Sequence, residues 1–411
     1  MARLKGFQKL TSVDEALRRF LDAVEIKKPK AVSVTLDKAL NRVLAEAIAA
    51  EEDLPRVDRS AVDGYAVRAE DTFGASQFKP KILALTEHQV VGSKHAKRLW
   101  TGNTLPNGSN AVVMLENTRQ VDSKIEVWTP LAPGENVSKR GEDIRKAEVA
   151  LEAGVQLRPQ HLGLIAALGM DEVRVFEEPK VAILSTGNEI AEAGSERQEN
   201  QIFDANKHAV SALCRELGVV PIDLGIVRDD LDEIVESLKR GLRTDAVITS
   251  GGTSVGGSDL VPDAVNKLGE PGVLVHGVAM RPGMPTALAV VDGKPVMIFP
   301  GNPVAAMIAF EVFARPLICR MLGLRHEEAR PTLQARMRRR ITAALGRRTF
   351  VRVCVFRKGG EVFAEPVSAR GSGLISTMTR SNGYTVVPEN REGLEEAEVV
   401  LVHLFDVVEE A

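Results

Sequence analysis

The sequence is poor in aromatic residues and cysteine. Aromatic side chains make up 4% of its 411 residues, and there are three thiols, Cys214, Cys319 and Cys354. These cysteines are far apart, and each lies within an apolar segment, which excludes a disulfide framework and a zinc site. The pattern predicts buried thiols in a reducing compartment.

The sequence also has no long apolar run and no excess of positive charge. No stretch approaches the ~20 apolar residues that span a bilayer, and the first residues have no apolar signal core. The net charge of -3 argues against a dedicated nucleic-acid or membrane-surface protein. We therefore expect a cytoplasmic protein that binds neither nucleic acid nor membrane.

A chain of this length predicts several domains. Between residues 178 and 327, buried strand patterns alternate with amphipathic helix patterns, which predicts an α/β domain with a mostly parallel sheet and right-handed crossovers. A helical pattern over residues 12–24 opens with a capping box of Ser12 and Glu15. The full prediction is an α/β multidomain protein with a helical N-terminal domain (residues 1–45 and 148–177), a β-rich insert domain (46–147), the α/β domain (178–327) and a C-terminal small β-barrel-like domain (328–411).

A glycine-rich loop follows the apolar strand pattern at residues 246–250 and ends on a carboxylate. Its glycines let backbone N–H groups approach an anion, and its hydroxyls add donors. A predicted helix after Asp259 would direct its N-terminus at the same anion. Such loops also occur in α/β sheets that bind no ligand, so the loop alone does not establish an anion-binding site. The candidate ligand-binding residues here are Ser250, Gly251, Gly252, Thr253, Ser254 and Gly256.

Two more polar loops follow strands of the predicted sheet, at residues 185–189 and 300–303. Pro300 and Pro303 flank Gly301 and Asn302 and would stiffen the turn into the next helix. Arg281 follows another strand and precedes a Pro-Gly turn. Because the carboxyl ends of parallel strands meet at one edge, we expect the loops to converge there.

Several carboxylates are candidates for a metal site. Singly, each is explained as a turn former or helix cap, and the pair Asp229–Asp230 is expected to include such a cap. Gathered at one cleft, they would form the oxygen-rich site that Mg²⁺ prefers. We assign the metal to Asp259 and Glu189. The carboxylates considered are Asp58, Asp63, Asp143, Glu189, Asp229 and Asp259.

Six motifs in order resemble the molybdopterin molybdenumtransferase family, the MoeA and gephyrin E-domain group. They are LPRVDRSAVDGYAV (54–67), TGNTLP (101–106), RGEDI (140–144), LSTGNE (184–189), SGGTSVGGSD (250–259) and FPGNPV (299–304). The resemblance implies insertion of molybdate into adenylylated molybdopterin, with release of AMP and help from a divalent cation. The catalytic positions it implies are Asp58, Thr101, Asp143, Glu189, Asp229 and Asp259.

In that family the site lies in a cleft between the α/β domain of one subunit and the insert of the other. The resemblance therefore implies a homodimer, with transient contacts to other cofactor-biosynthesis proteins or acceptor apo-enzymes. The residues suit this chemistry, since hydroxyls, N–H groups and cations such as Lys139 and Arg140 bind oxyanions, while the metal neutralises the phosphoanhydride.

The sequence departs from the family pattern at four positions. Many members have Lys at the positions of Arg281 and Met284, Asp at Asn188 and Arg at Ser138. These differences leave open a tungstate-preferring enzyme and a weakly active paralogue. Two further alternatives are a non-catalytic pterin-binding or scaffold protein, which the gephyrin resemblance allows, and a hydrolase of nucleotide-like phosphoanhydrides. The basic stretch at residues 336–348 is interpreted as a solvated strand face, with attraction of an anionic phosphate or contact with nucleic acid as alternatives.

Overall fold

The protein is described here by a computed structural model that covers residues 10–27, 29–251, 260–325, 330–367 and 373–410. It comprises two compact units. The first unit contains Met1–Val32, Asn41–Val43 and Val175–Ala411, and the insert unit contains Ser33–Leu40 and Leu44–Arg174. The four predicted domain boundaries remain predictions.

A six-stranded sheet forms the centre of the α/β part of the first unit. Its strands in spatial order are Val220–Val227, Lys180–Thr186, Ala246–Ser250, Lys294–Phe299, Ala287–Val291 and Pro271–His276. The first four are parallel, and the last two run antiparallel to their neighbours. The central strand Ala246–Ser250 is buried along its whole length, which explains its unbroken apolar sequence.

The parallel strands confirm the predicted core of the sheet, but the sheet is mixed because of a hairpin that the sequence analysis missed. Asp292 and Gly293 have φ values of 50° and 81° and join Ala287–Val291 to Lys294–Phe299. Two successive positive φ values suit a two-residue hairpin, and Asp-Gly between apolar runs is a strong signal for one.

Amphipathic helices flank this sheet, as predicted. Leu231–Gly241 begins after Asp230, whose carboxylate accepts from the N–H groups of Asp232 and Glu233. Ile234 and Leu238 are fully buried against the sheet in a core that includes Leu184 and Ile298. The helical segments of this part are Asn206–Glu216, Leu231–Gly241, Leu260–Asn266, Pro303–Ala309, the π-helical Phe310–Ala314 and Arg315–Met321.

The prediction of a helical N-terminal domain is wrong. Within its described residues the α-helices are Val13–Ala23 and Pro159–Ala167, accompanied by strands Ala31–Thr35, Val149–Leu151 and Glu172–Phe176. The prediction failed because it extended two short helical patterns over the neighbouring segments. Those segments contain alternating β-branched residues, which are typical of strands.

The helix Val13–Ala23 belongs to the first unit, where it packs on the sheet strands Pro271–His276 and Ala287–Val291. Arg19 donates to the carbonyl of Leu274 at 2.8 Å. The predicted capping box is also wrong, because the Ser12 side chain makes no capping bond and Glu15 pairs with Arg18 at 2.7 Å instead.

The insert unit is built on a second six-stranded sheet, in agreement with the predicted β-rich insert. Its strands in spatial order are Ala111–Met114, Gly64–Val67, His95–Leu99, Lys81–Leu85, Lys124–Val127 and Thr118–Val121. Tyr65, Leu83 and Ile125 are buried in its core. Short strand pairs join Arg59–Ser60 to Val137–Ser138 and Ile48–Ala49 to Val149–Leu151.

The C-terminal part of the first unit is a closed five-stranded barrel, which confirms the predicted small β barrel. Its strands in order around the barrel are Arg348–Lys358, Glu361–Pro366, Thr332–Met337, Val399–Leu404 and Gly383–Val387. The last pairs back to the first. Val353, Val355 and Val402 fill the interior.

The basic stretch lies on and beside this barrel, where most of its arginines pair with carboxylates. Arg336 lies 3.2 Å from Glu361, and Arg340 lies 3.3 Å from Glu395. Such pairs agree with the interpretation of a solvated strand face.

The sequence predicted that all three cysteines are buried. Cys214 and Cys319 are buried and Cys354 is half-buried. Burial raises the pKa of Cys214 to about 12, so this thiol is unreactive at neutral pH.

No helix among the described residues is long and apolar enough to cross a membrane.

Candidate functional site

Three polar loops leave the same end of the α/β sheet, which we call the carboxyl edge. Ser250 pairs in register with Ser185 on one side and Phe299 on the other. The Ser185 and Ser250 hydroxyl oxygens lie 3.3 Å apart, and the N–H of Gly251 donates to the Phe299 carbonyl at 3.1 Å. The sheet thus brings together the starts of the three loops, as their positions after parallel strands predicted.

Gly251 must be glycine in this arrangement. Its φ is +97°, and a Cβ there would lie 2.2 Å from the Thr186 carbonyl oxygen. The Cα of Gly251 would in turn lie 3.8 Å from a Cβ placed on Gly301. The two loops are therefore in van der Waals contact, and the close approach of Gly251 to Thr186 is what requires glycine at position 251.

The rest of the glycine-rich loop lies outside the described residues. This applies to the predicted site residues Gly252, Thr253, Ser254, Gly256 and Asp259. Their predicted roles, including metal binding by Asp259, remain predictions.

Glu189 and Asp229 lie on neighbouring loops of the carboxyl edge. Asn188 joins the loops, since its N–H donates to Asp229 at 3.4 Å and its side-chain oxygen accepts from the Asp229 N–H at 3.3 Å. Both Glu189 oxygens lie about 3 Å from where a Gly187 Cβ would be, so this carboxylate folds back over the glycine. Both acidic side chains are exposed.

Asp230 makes the helix cap in the Asp229–Asp230 pair, which leaves Asp229 available for another partner. Among the described residues there is no group of three or more His, Cys, Asp or Glu side chains placed to hold a metal. Within the described part of the chain, Glu189 and Asp229 therefore do not form such a group, and metal binding at this edge stays a prediction.

The Pro300–Pro303 turn is fixed by a side chain that the sequence analysis did not single out. Asn206 donates from Nδ2 to the Gly301 carbonyl at 2.8 Å. Pro303 opens the helix that follows, with Asn302 at its N-cap position. The Asp-Ala-Asn sequence at the start of a predicted helix was the available signal for Asn206.

The Arg281 loop is held by two other parts of the first unit. Arg281 pairs in register with Thr349 of the barrel, and Thr11 exchanges backbone bonds with Gly277 and Ala279 at 3.1 and 2.7 Å. The Arg281 side chain is exposed and has no ion pair within the described residues. It is therefore available to bind an anion.

Arg352 is a further cation that the sequence analysis missed. It lies on the barrel strand Arg348–Lys358, is 4% exposed, and donates to Thr377 at 3.2 Å. Burial lowers its pKa. In the sequence it is one of several arginines on an alternating strand, and nothing in that pattern marks it as buried.

The insert unit brings three of its predicted site residues close together. The N–H of Arg140 donates to the Asp58 carboxylate at 2.8 Å. The N–H of Asp143 donates to the Leu54 carbonyl at 3.1 Å, so the segments carrying Asp58 and Asp143 are joined. We call Asp58, Thr101, Arg140 and Asp143 the insert cluster.

Thr101 lies on the adjoining loop of this cluster, which is joined to the Asp58 segment because the N–H of Leu105 donates to the Asp58 carbonyl at 2.8 Å. Its N–H and hydroxyl both donate to Asp63 at 2.7 Å, and these bonds lower the pKa of Asp63. The hydroxyl of Thr101 is thereby oriented by an ionised carboxylate. Asp53 orients Arg140 in the same way through an ion pair.

The class of protein is now defined: a multidomain α/β protein with polar loops at the carboxyl edge of its sheet, a β-rich insert and a C-terminal barrel. Three family profiles match the chain in order. They are the MoeA N-terminal region (domain I and II) over residues 11–169, the "Probable molybdopterin binding domain" over residues 182–320 and the MoeA C-terminal region (domain IV) over residues 334–405.

Similarity extends over nearly the whole chain. A molybdopterin molybdenumtransferase of Staphylococcus aureus (strain COL) is 32% identical over 406 residues, which cover 96% of this chain and 95% of that protein. A Methanocaldococcus jannaschii protein named for molybdopterin biosynthesis is 38% identical over 411 residues, 98% of each chain. The crystal structure of the molybdopterin biosynthesis MoeA protein from Pyrococcus horikoshii OT3 has a TM-score of 0.83 and 33% identity, with 97% of this chain and 100% of that chain covered. The chain belongs to the MoeA family.

Proposed function

We propose that this protein is a molybdopterin molybdenumtransferase, which inserts molybdate into adenylylated molybdopterin and releases AMP. The observation that carries the proposal is the carboxyl edge of a molybdopterin-binding domain, where carboxylates, glycine backbone and hydroxyls meet. Named relatives with this activity are 32% identical over most of the chain. The dithiolene sulfurs belong to the substrate, so no protein thiol is required.

The carboxyl edge suits Mg²⁺ held jointly with the substrate. Glu189 and Asp229 offer exposed carboxylate oxygens, and Asp259 is the third carboxylate in the proposal. Mg²⁺ commonly takes one or two protein carboxylates and fills its remaining positions with water and substrate phosphate oxygens. The two described carboxylates fit that pattern, and the bound metal would neutralise charge on the phosphoanhydride.

The cationic loop would hold the oxyanion. Arg281 presents a planar fork of donors on a loop anchored at both ends, so a tetrahedral oxyanion can be bound with little reordering of the backbone. The hydroxyls at Ser250, Thr253 and Ser254 would supply neutral donors. Met284 adds no charge, so the site has fewer cations than that of many relatives.

A complete site is proposed to need two subunits. Asp58, Thr101 and Asp143 belong to the insert unit, and Glu189, Asp229 and Arg281 belong to the first unit. A two-fold homodimer would let the insert cluster of one subunit serve the carboxyl edge of the other. Ordered polar groups such as Thr101 would then form hydrogen bonds with the oxyanion or the phosphate.

Cofactor transfer tests the proposal. The protein is incubated with adenylylated molybdopterin, Mg²⁺ and molybdate or tungstate, and the product is offered to a molybdenum-dependent apo-enzyme. The proposal expects AMP release together with recovery of apo-enzyme activity. A protein that binds the pterin without releasing AMP would be a scaffold, and that result would refute the proposal.

A further inference from the structure

Three buried oxygen atoms near the carboxyl edge have no hydrogen-bond partner within the described residues. They are Thr186 Oγ1, Asp204 Oδ2 and Asn206 Oδ1, which we call the acceptor cluster. Their residues are 1%, 4% and 7% exposed. Enclosed polar atoms without partners cost free energy, so a native protein usually supplies each with a partner, ligand or water.

Two residues of the cluster border the meeting point of Gly251 and Gly301. Thr186 Oγ1 would lie 3.1 Å from a Cβ on Gly251, and Asn206 bonds to the Gly301 carbonyl. Asp204 and Asn206 stand at the start of the helix Asn206–Glu216, which follows the strand Lys180–Thr186. The cluster is therefore part of the edge at which α/β sheets bind ligands.

The remaining bonds of these side chains fix two of the free atoms as acceptors. Asn206 Nδ2 is already used by Gly301, so the free atom of this amide is its oxygen. Asp204 Oδ1 accepts from the Lys207 N–H at 3.0 Å, so the second carboxylate oxygen faces elsewhere. N–H or O–H donors on a ligand would complement both atoms.

The ammonium group of Lys207, three residues further on, pairs with other carboxylates and not with Asp204. Lys207 is buried, and its ammonium lies 2.7 Å from Glu192 and 3.1 Å from Asp223. Two carboxylates thus already occupy it. An uncompensated carboxylate disfavours phosphate or molybdate at this point, so the anionic groups of a ligand must be bound elsewhere along the edge.

We propose that Asp204 and Asn206 bind the N–H edge of the pterin ring, the face that carries N3–H and the 2-amino group, and that Thr186 completes this subsite. The inference rests on the proposed function and fixes the direction of the substrate. The ring edge lies at the acceptor cluster, and the phosphate and oxyanion lie toward the glycine loop and Arg281.

The test compares pterin with lumazine, which has a carbonyl in place of the 2-amino group. Binding of each free compound is measured by equilibrium dialysis with fluorescence detection. The wild type should prefer pterin by about tenfold, the effect of one charge-assisted hydrogen bond. Asp204→Asn replaces an acceptor by a donor, so it should abolish or reverse that preference.

Asp223→Asn is the matched control, because it makes the same chemical change in a carboxylate that contacts Lys207 on another side. It should retain the preference for pterin. Asn is as good a helix cap as Asp, so Asp204→Asn should fold normally, and its failure to fold would show a structural role and overturn the inference.

Thr186→Val gives an independent readout on the free protein. If a structural water satisfies the cluster, removing the hydroxyl should lower the midpoint of thermal unfolding, and that result would overturn the inference. An unchanged or higher midpoint supports it. An unaltered pterin preference in Asp204→Asn, with AMP release intact, would reject the ring-edge subsite and leave the proposed function standing.

Discussion

At the scale of the residue, the candidate site depends on side chains whose orientation is set by neighbours. Thr101 is directed by Asp63 and Arg140 by Asp53, and Asn188 joins the loops of Glu189 and Asp229. Thr101, Arg140 and Asn188 are therefore held by carboxylate or backbone partners in the free protein, which reduces the cost of ordering these candidate groups.

Glu189→Ala should lower oxyanion-dependent AMP release by roughly a hundredfold, since losing a group that stabilises transition-state charge costs about 3 kcal/mol. Initial rates at saturating Mg²⁺ give the comparison. Glu196→Ala, an exposed change on the same segment, should leave the rate unchanged. Equal rates in both variants would remove Glu189 from the metal site.

Arg281→Ala should raise the molybdate concentration needed for half-maximal activity, because the main cation of the loop is lost. Met284→Lys should lower it by up to about tenfold, the effect of one charge-assisted hydrogen bond of ~1.5 kcal/mol. Titrations with molybdate and tungstate measure both shifts. If neither variant responds to either oxyanion, the loop is structural.

At the scale of the element, a buried ion-pair cluster joins the last helix of the α/β part to the barrel. Glu311 bonds to Arg315 at 2.8 Å and to Arg330 at 2.8 Å. Glu311 is buried, but the two guanidinium groups outweigh desolvation and lower the pKa of Glu311 from its usual 4.5. Its charged form thus stabilises the fold.

Glu311→Gln should reduce the free energy of unfolding by about 3 kcal/mol at pH 7, because Arg315 and Arg330 lose their buried partner and retain the exposed Glu216. The folded pKa is depressed, so the contribution is present above the unfolded value of 4.5 and disappears as pH falls through the folded value. Urea unfolding at several pH values measures it. The exposed pair of Glu361 and Arg336 provides a control, and Glu361→Gln should cost under about 1 kcal/mol. A loss that does not shrink toward low pH would contradict the electrostatic account.

The sequence predicted the elements whose pattern is local. The parallel strands and the helix Leu231–Gly241 followed from periodicity, and the barrel followed from short strands and turns. The strand Ala287–Val291 was missed despite its Asp-Gly turn. The predicted capping box was wrong because Glu15 forms an ion pair with Arg18. The spacing of Ser12 and Glu15 does not show which of these partners Glu15 binds.

The site was less predictable than the fold because its geometry depends on contacts distant in sequence. The loop positions at the carboxyl edge followed from the strand order. Asn206, by contrast, acts on Gly301, 95 residues away, and Arg352 is buried only once the barrel closes. The local sequence marks Asn206 as a residue at a helix start and Arg352 as a strand residue, and only the folded chain shows which distant groups they contact.

At the scale of the whole molecule, the predicted site residues are divided between two compact units. Heterodimers tagged on each subunit test whether sites are shared. Asp58→Ala and Glu189→Ala homodimers should each be inactive, and a purified heterodimer of the two should recover about half of wild-type activity, because one of its two sites contains both native residues. No recovery in verified heterodimers would count against a shared site.

The central claim is that this protein couples AMP release to the presence of an oxyanion. The most direct measurement is the rate of AMP release from adenylylated molybdopterin with Mg²⁺, in the presence and absence of molybdate or tungstate. We expect release that requires one of the oxyanions and produces an equal amount of metal-loaded cofactor. Equally fast release without any oxyanion would identify a phosphoanhydride hydrolase and contradict the account.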